Sequence, residues 1–325
     1  MRMLSFYLFS FICLNGVTHI SGGLDGWLLD LFVKCPVNRN QSLDVSQIKV
    51  YFYDFHRGRS KVFPIDNAAK KILSFHKLDK NKMFYMFVSG FATYINRTTA
   101  HLVRETFKHV PNSYLIIIDH SAYTNNTDYG PKTSYERSVQ HVYSIGVKLA
   151  QMLVQLNQGG IRASHIHAIG HSLGSQMLGH VGANFNKATG FKIGRITALD
   201  PAGPCFKNSL KEEQIRAGVA DYVEVYHCDD GGLGTSSVLG DTDLYMNKGS
   251  DQPKCNFPSV NKCSHKVCVA MWMASVTHRF TARQCNNYKL FKQRKCTSNK
   301  TTTAGFWNPG TAKGIYYFST EDYKY

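Results

Sequence analysis

Over 325 residues the chain is 43% hydrophobic and 18% charged, enough apolar content for a large buried core and too much for a disordered polymer. Its formal charge of +16 comes from dispersed basic residues, densest in HKLDKNK (76–82) and KLFKQRK (289–295). Neither run is interleaved with aromatics as in a nucleic-acid module, so no nucleic-acid partner is expected. The charge reads either as a solvated basic surface or as attraction to an anionic lipid surface, at about 1 kcal/mol per well-placed Lys or Arg.

The N-terminus, MRMLSFYLFSFICLNGVTHISGG, places Arg2 before an apolar run and then the small residues Ser21, Gly22 and Gly23. That pattern predicts a secretory signal peptide over residues 1–22, because the run is shorter than the roughly 20 residues a membrane span needs. Residues 23–325 contain no linker, low-complexity tract or internal repeat, and one domain is expected. Of the nine cysteines, Cys13 falls in the leader, leaving the even set Cys35, Cys205, Cys228, Cys255, Cys263, Cys268, Cys285 and Cys296. In a secreted chain this suggests up to four disulfides, and no paired C-x-x-C motifs point to zinc. Glycosylation sequons at Asn40, Asn96, Asn125 and Asn299 agree with an extracellular destination.

MFYMFVSGF (83–91) and SYLIIIDH (113–120) are apolar without clean alternation, as buried parallel strands are. YERSVQHVYSIGVKLAQMLVQL (135–156) carries Val139, Val142, Val147, Leu149, Leu153 and Leu156 on a broad apolar helical face. HIHAIG then reads as a strand, and SQMLGHVGANF as a helix with Met177, Leu178 and Val181 at helical spacing. Alternation of strand and helix predicts a doubly wound α/β fold.

Between that strand and helix lies Gly170-His171-Ser172-Leu173-Gly174. Alone, G-x-S-x-G is a weak signal; in a strand–turn–helix context it predicts a nucleophile elbow, with Ser172 exposed at the carboxyl end of a strand. Side chains at 170 and 174 would collide with the neighbouring strand and helix. Leu173, at the helix start, would offer its backbone N–H to an oxyanion. A serine nucleophile needs a base and an acid that orients it. The next strand-like segment, KIGRITALD, ends in Asp200; Asp221, Asp229, Asp230, Asp241, Asp243 and Asp251 compete by order alone, mostly in turn-like runs. Among histidines, His165 and His167 precede the turn, His171 cannot curl back onto Ser172, and His180 lies two helical turns on. His227, His265 and His278 remain. His265 reads as a residue of a disulfide-rich loop just before the helix-like VCVAMWMASV, and spacing puts it modestly ahead of His227.

The blocks IGHSLGSQMLGHVG, GRITALDPAGPCF, GTSSVLGDTDLYMNKGSDQPKC and CSHKVCVAMWMASV, in this order, resemble the pancreatic lipase superfamily. The likeness runs from about residue 45 onward and is nearest to the secreted phospholipase A1 branch of insects and wasp venoms. It implies an α/β-hydrolase fold, with a mostly parallel central sheet flanked by helices, and a triad of Ser172, Asp200 and His265. The oxyanion hole would use the backbone N–H groups of Phe91 and Leu173. Two departures stand out: Ser89 where the family's H-G-F motif has His, and His120 where Trp commonly follows Asp. The first bears on the orientation of the oxyanion loop.

The resemblance also implies a lid disulfide between Cys255 and Cys263, which bracket only NFPSVNK, seven residues. So short a segment is not expected to form an amphipathic lid helix. Together with the short neighbouring loop CDDGGLGTSSVLG (228–240), it points to phospholipase A1 rather than triacylglycerol lipase. Cys285 and Cys296 resemble a further family pair; Cys35, Cys205, Cys228 and Cys268 receive no pairing. With no β-sandwich read after the catalytic domain, no colipase partner is expected. The substrate surface would be phospholipid aggregates or membrane, anionic if the basic charge serves it. No cofactor or metal is implied, and there is no H-E-x-x-H. Competing readings are a neutral lipase or broad acyl hydrolase, and a non-catalytic, yolk-protein-like binder on the same fold.

Overall fold

The computed structural model describes residues 33–36, 41–125, 128–256 and 259–323. The leader expected over residues 1–22 and the sequon asparagine Asn40 lie outside the described residues.

A hairpin of β1 (Lys49–Asp54) and β2 (Arg59–Pro64) leads into helix α1 (Ile65–Leu73). β3 (Met83–Val88), α2 (Thr98–Phe107) and β4 (Ser113–Asp119) follow, then the single turn α3 (Ser121–Thr124) and the long α4 (Gly130–Gln158). β5 (Ile166–His171), α5 (Leu173–Thr189), β6 (Arg195–Leu199), β7 (Val223–His227) and β8 (Thr242–Met246) form the middle of the chain. It continues through α6 (Val260–Ala274), β9 (Phe280–Cys285), α7 (Tyr288–Lys292), β10 (Thr301–Ala304) and β11 (Gly314–Phe318).

Among the described residues, eleven strands make one sheet in the order β10-β9-β11-β8-β7-β6-β5-β3-β4-β1-β2. Every neighbouring pair from β4 to β11 is parallel. The β1–β2 hairpin adds antiparallel strands at one edge, and β9 and β10 do so at the other. This is the mostly parallel, helix-flanked architecture the sequence predicts.

The two apolar runs become β3 and β4, and their lack of alternation has a direct cause: both faces of the sheet are covered. Phe84, Met86, Tyr114, Ile116 and Ile118 pack with α1, α4 and α5 on one side. Phe87, Leu115 and Ile117 pack with Val103 and Phe107 of α2 and Met271 and Trp272 of α6 on the other. Each fully buried side chain of this size contributes about 1.5–3 kcal/mol. The helix predicted over 135–156 is longer at its start, where Pro131 sits in a first turn that needs no proline N–H.

One expectation is corrected. His265 lies inside α6, not on a loop before it. The buried face of α6 opens with Ser264 and His265 before reaching Cys268, Val269 and Trp272. Polar residues at the first core-facing positions hide a helix from a hydrophobicity pattern. The segment between Cys255 and Cys263 supplies the first turn of the same helix.

Elsewhere in the sheet, the buried Glu224 of β7 accepts hydrogen bonds from Arg195 Nε (3.1 Å), Thr197 Oγ1 (2.5 Å), Tyr226 OH (3.2 Å) and Asn308 Nδ2 (2.8 Å). Breaking a buried ion pair from one side strands the other charge. Arg195→Ala is therefore expected to lower unfolding stability by about 3 kcal/mol in denaturant titrations; a change below about 1 kcal/mol would show that Glu224 needs no cation.

Candidate active site

Ser172 joins β5 to α5 with its backbone at φ 57° and ψ −122°. A residue with a side chain adopts such a conformation at a cost of about 1–3 kcal/mol and keeps it only where its surroundings impose it. Here Ser172 N–H donates to Leu199 O at 3.1 Å, while Ser172 O accepts from Ser175 N at 3.0 Å and Ala202 N at 3.2 Å. The flanking glycines meet a packing demand. A Cβ on Gly170 would stand 2.6 Å from Ser175 N, and one on Gly174 would stand 2.2 Å from Val88 O.

Asp200, directly after β6, is wholly buried. Cys228 and Asp229 N–H groups donate to its Oδ1 at 2.8 and 3.1 Å. His265 Nδ1 is 2.6 Å from Oδ2; a carboxylate only accepts, so Nδ1 carries the proton. Nε2 is then the nitrogen left to exchange a proton.

His171 stacks beside His265 with ring centroids 4.5 Å apart, and its Nε2–H donates to His265 O at 3.0 Å. Burial, then the charge His265 can carry, pushes the His171 imidazole down to about 3. It is a neutral support for the α6 backbone. Its adjacency to Ser172 obscures this role in the sequence, because its partner lies 94 residues on.

Leu173 is the first residue of α5, where leading N–H groups have no acceptor within the helix. Phe91 sits in the turn after β3, its ring edge-on to Tyr135 at 5.4 Å. Gly90 brings that turn against the elbow, since a Cβ there would lie 2.6 Å from Ser172 Cβ.

Several of the competing groups are engaged elsewhere. His227 Nε2 donates to Asp243 at 2.9 Å and Nδ1 to Thr235 O at 2.8 Å. Burial opposes its charge, but Asp243 and the Thr235 carbonyl push it above its ordinary value. With both nitrogens donating, His227 cannot serve a serine. His167 meets Thr197 at 2.8 Å, His180 packs edge-on to Tyr143, and His278 packs on Phe280. Asp230 accepts from Tyr288 OH at 2.6 Å, and Asp241 from Val223 N at 3.0 Å.

A sequence model of the lipase family matches residues 32–308. The chain belongs to the lipase family. Among curated proteins, this lipase-family chain is 36% identical over 170 residues to Lipase member H of Danio rerio, a match covering 50% of this chain and 37% of that one. It is 32% identical over 216 residues to Lipase member H of Mus musculus, covering 64% and 45% respectively. Phospholipase A1 member A of Bos taurus is 34% identical over 175 residues, covering 52% and 38%. The matches thus span less than half the length of each of these relatives, whose names agree with the pancreatic lipase superfamily and its phospholipase A1 branch.

Four disulfides bind the described residues: Cys35–Cys205, Cys228–Cys268, Cys255–Cys263 and Cys285–Cys296. Cys228–Cys268 ties the loop that holds Asp200 to the helix that holds His265. Asn96 and Asn299 are exposed and Asn125 partly so. Among the described residues no helix is long and apolar enough to cross a membrane.

Donor atoms of Asp200, Asp229 and His265 lie within 4.8 Å of one another. Their hydrogen bonds suit them poorly to a cation: Asp200 accepts from three N–H groups, and Leu233 N–H donates to Asp229 Oδ2 at 2.7 Å. Burial, then the Asp200 charge, pushes the Asp229 carboxyl up to about 9 from an ordinary 3.8. The fold therefore holds a proton that the unfolded chain has lost, and stability falls as pH rises from about 4 to about 9. Asp229→Asn removes that slope. In thermal melts it should exceed the wild type increasingly across this window, by at most about 1.4 kcal/mol per pH unit, and match it below about pH 4. Parallel wild-type and variant curves would show that Asp229 is ionised in the fold.

Proposed function

We propose that this chain is a secreted carboxylic-ester hydrolase that cleaves the sn-1 acyl ester of glycerophospholipids, a phospholipase A1. The observation that carries the reading is the 2.6 Å His265–Asp200 hydrogen bond, together with a serine held in a strained elbow whose neighbour His171 lies against His265 at 4.5 Å. Ser172 Oγ attacks the acyl carbonyl as His265 Nε2 takes its proton, and Asp200 stabilises the imidazolium. Leu173 and Phe91 N–H groups receive the oxyanion. Collapse of the tetrahedral intermediate expels the lysophospholipid alkoxide, which takes the proton from Nε2. Water, deprotonated by the same nitrogen, then releases the fatty acid and restores Ser172.

Charge near the site favours a phosphate-bearing substrate. Lys262 and Lys266 lie one turn apart on α6, on either side of His265 in sequence. Partial burial, then the nearby charges of Lys262 and Arg97, lowers the Lys266 ammonium from its ordinary value, as expected of three cations that share one field. The seven-residue segment between Cys255 and Cys263 leaves little material to cover a head group. Disulfides and exposed sequons support an extracellular setting, with residues 1–22 as the leader and the remainder as one catalytic domain. The reading needs no cofactor, metal, colipase or nucleic acid.

The test is acyl release from a phosphatidylcholine with distinguishable chains, beside a triacylglycerol emulsion. Release from sn-1 is expected, falling by about three or more orders of magnitude in Ser172→Ala. Faster triacylglycerol cleavage would make the protein a neutral lipase, and no turnover by folded protein would make it a binding protein. The double variant Lys262→Ala, Lys266→Ala is expected to lower the preference for phosphatidic acid vesicles over triacylglycerol several-fold, and less so in high salt, where screening weakens the attraction. An unchanged preference would remove the cations from substrate choice.

A further inference from the structure

We propose that His120 is a positioning residue for the oxyanion hole, clamping the loop of Ser89, Gly90, Phe91 and Ala92 so that the Phe91 N–H faces Ser172. The inference rests on the reading of Phe91 as an oxyanion donor and concerns what holds that donor in place.

His120 is 1% exposed and stands between β4 and α3. Its Nε2 lies 3.0 Å from Ser89 O and its Nδ1 lies 2.8 Å from Thr124 Oγ1. A backbone carbonyl only accepts, so Nε2 carries the proton and donates to Ser89 O. In the neutral ring Nδ1 accepts from the Thr124 hydroxyl. Burial keeps the ring in this form by lowering its basicity. Both ring nitrogens are thereby used on one loop and one helical turn.

The same turn grips the loop a second time. Ala92 N–H donates to Thr124 O at 2.8 Å. Ser89 O and Ala92 N are thus both tied to the His120–Thr124 unit, one before the Phe91 N–H and one after it. The loop needs such a clamp. Ala92 is held at φ 53°, a left-handed conformation that a residue with a Cβ does not keep without support. Gly90 leaves no slack on the other side, because a Cβ there would stand 3.1 Å from His171 O as well as against the serine. A rotation of the Ser89–Gly90 peptide would turn Ser89 O out of reach of His120 and displace Gly90, whose own peptide carries the Phe91 N–H.

This arrangement gives one physical account of two departures from the family pattern. Ser89, itself buried, brings no imidazole to the loop. His120 delivers an imidazole to the same loop from the neighbouring strand end, with its N–H on the Ser89 carbonyl.

The experiment measures kcat and KM on a soluble p-nitrophenyl ester, together with the second-order rate of Ser172 phosphonylation by a p-nitrophenyl alkylphosphonate, whose oxygen occupies the same hole. His120→Phe fills the space without a donor; His120→Gln can keep an N–H on Ser89 O. A displaced donor costs less than the roughly hundredfold or more of a deleted one. His120→Phe is therefore expected to lower kcat about 10- to 100-fold, with KM within about twofold and phosphonylation slowed by the same factor. His120→Gln is expected to recover most of both rates. Wild-type rates in His120→Phe, a change confined to KM, or equal losses in Phe and Gln variants of equal melting temperature would overturn the proposal. Should His120→Phe not fold, Thr124→Val against Thr124→Ser decides. Loss of the hydroxyl is expected to lower kcat several-fold and its retention to preserve it, and equal kcat in the two would again overturn the clamp. Failure of the hydrolase reading looks different, because wild-type protein would then neither turn over the ester nor react with the phosphonate.

Discussion

The backbone of Ser172 turns through a left-handed conformation because three surrounding chain segments leave it no alternative. Its N–H is bound to the end of β6, its carbonyl to Ser175 and Ala202, and the helix that follows presses against the end of β3 so closely that residue 174 must lack a Cβ. The remainder of the site depends on this crossing. It sets the hydroxyl at the carboxyl ends of the parallel strands, where loops from β3, β6 and β7 converge. It also starts α5 at Leu173, so that N–H groups without an acceptor inside the helix lie directly after Ser172. A sheet of fewer or antiparallel strands would not bring Leu199, Val88 and Ser172 together in this way.

Burial shifts several of the ionisable groups packed behind that point toward their neutral forms. Burial pushes the His171 and His120 imidazoles down, and burial with the Asp200 charge pushes the Asp229 carboxyl up. Asp200 Oδ2 accepts from His265, and two backbone N–H groups fix its other oxygen. The contrast with His227 and Asp243 is instructive. That pair is longer, at 2.9 Å against 2.6 Å, and more buried, and its imidazole spends both nitrogens on fixed acceptors and so braces the loop from Cys228 to Gly240.

Parts of the fold were legible because one residue type leaves few alternatives. The runs at 83–91 and 113–120 are apolar on consecutive residues, which only a sheet covered on both faces accommodates. The edges were not legible. β2 is exposed along most of its length, and β10 is a run of threonines, so neither carries the burial signal that marks a strand. The start of α6 was hidden for a related reason, since its first inward-facing residues are Ser264 and His265.

The amino-acid sequence alone determined the strand–turn–helix at Ser172, the even set of cysteines and the family, all of which are written in local spacing or in ordered blocks. It did not pair Cys35 with Cys205 across 170 residues and Cys228 with Cys268 across 40, place His265 within a helix, or connect His120 to the loop 31 residues before it. Those choices turn on which nitrogen meets which acceptor, and on which strand ends lie side by side. Only the folded sheet brings such distant groups within about 3 Å, the range in which a hydrogen bond has any strength at all.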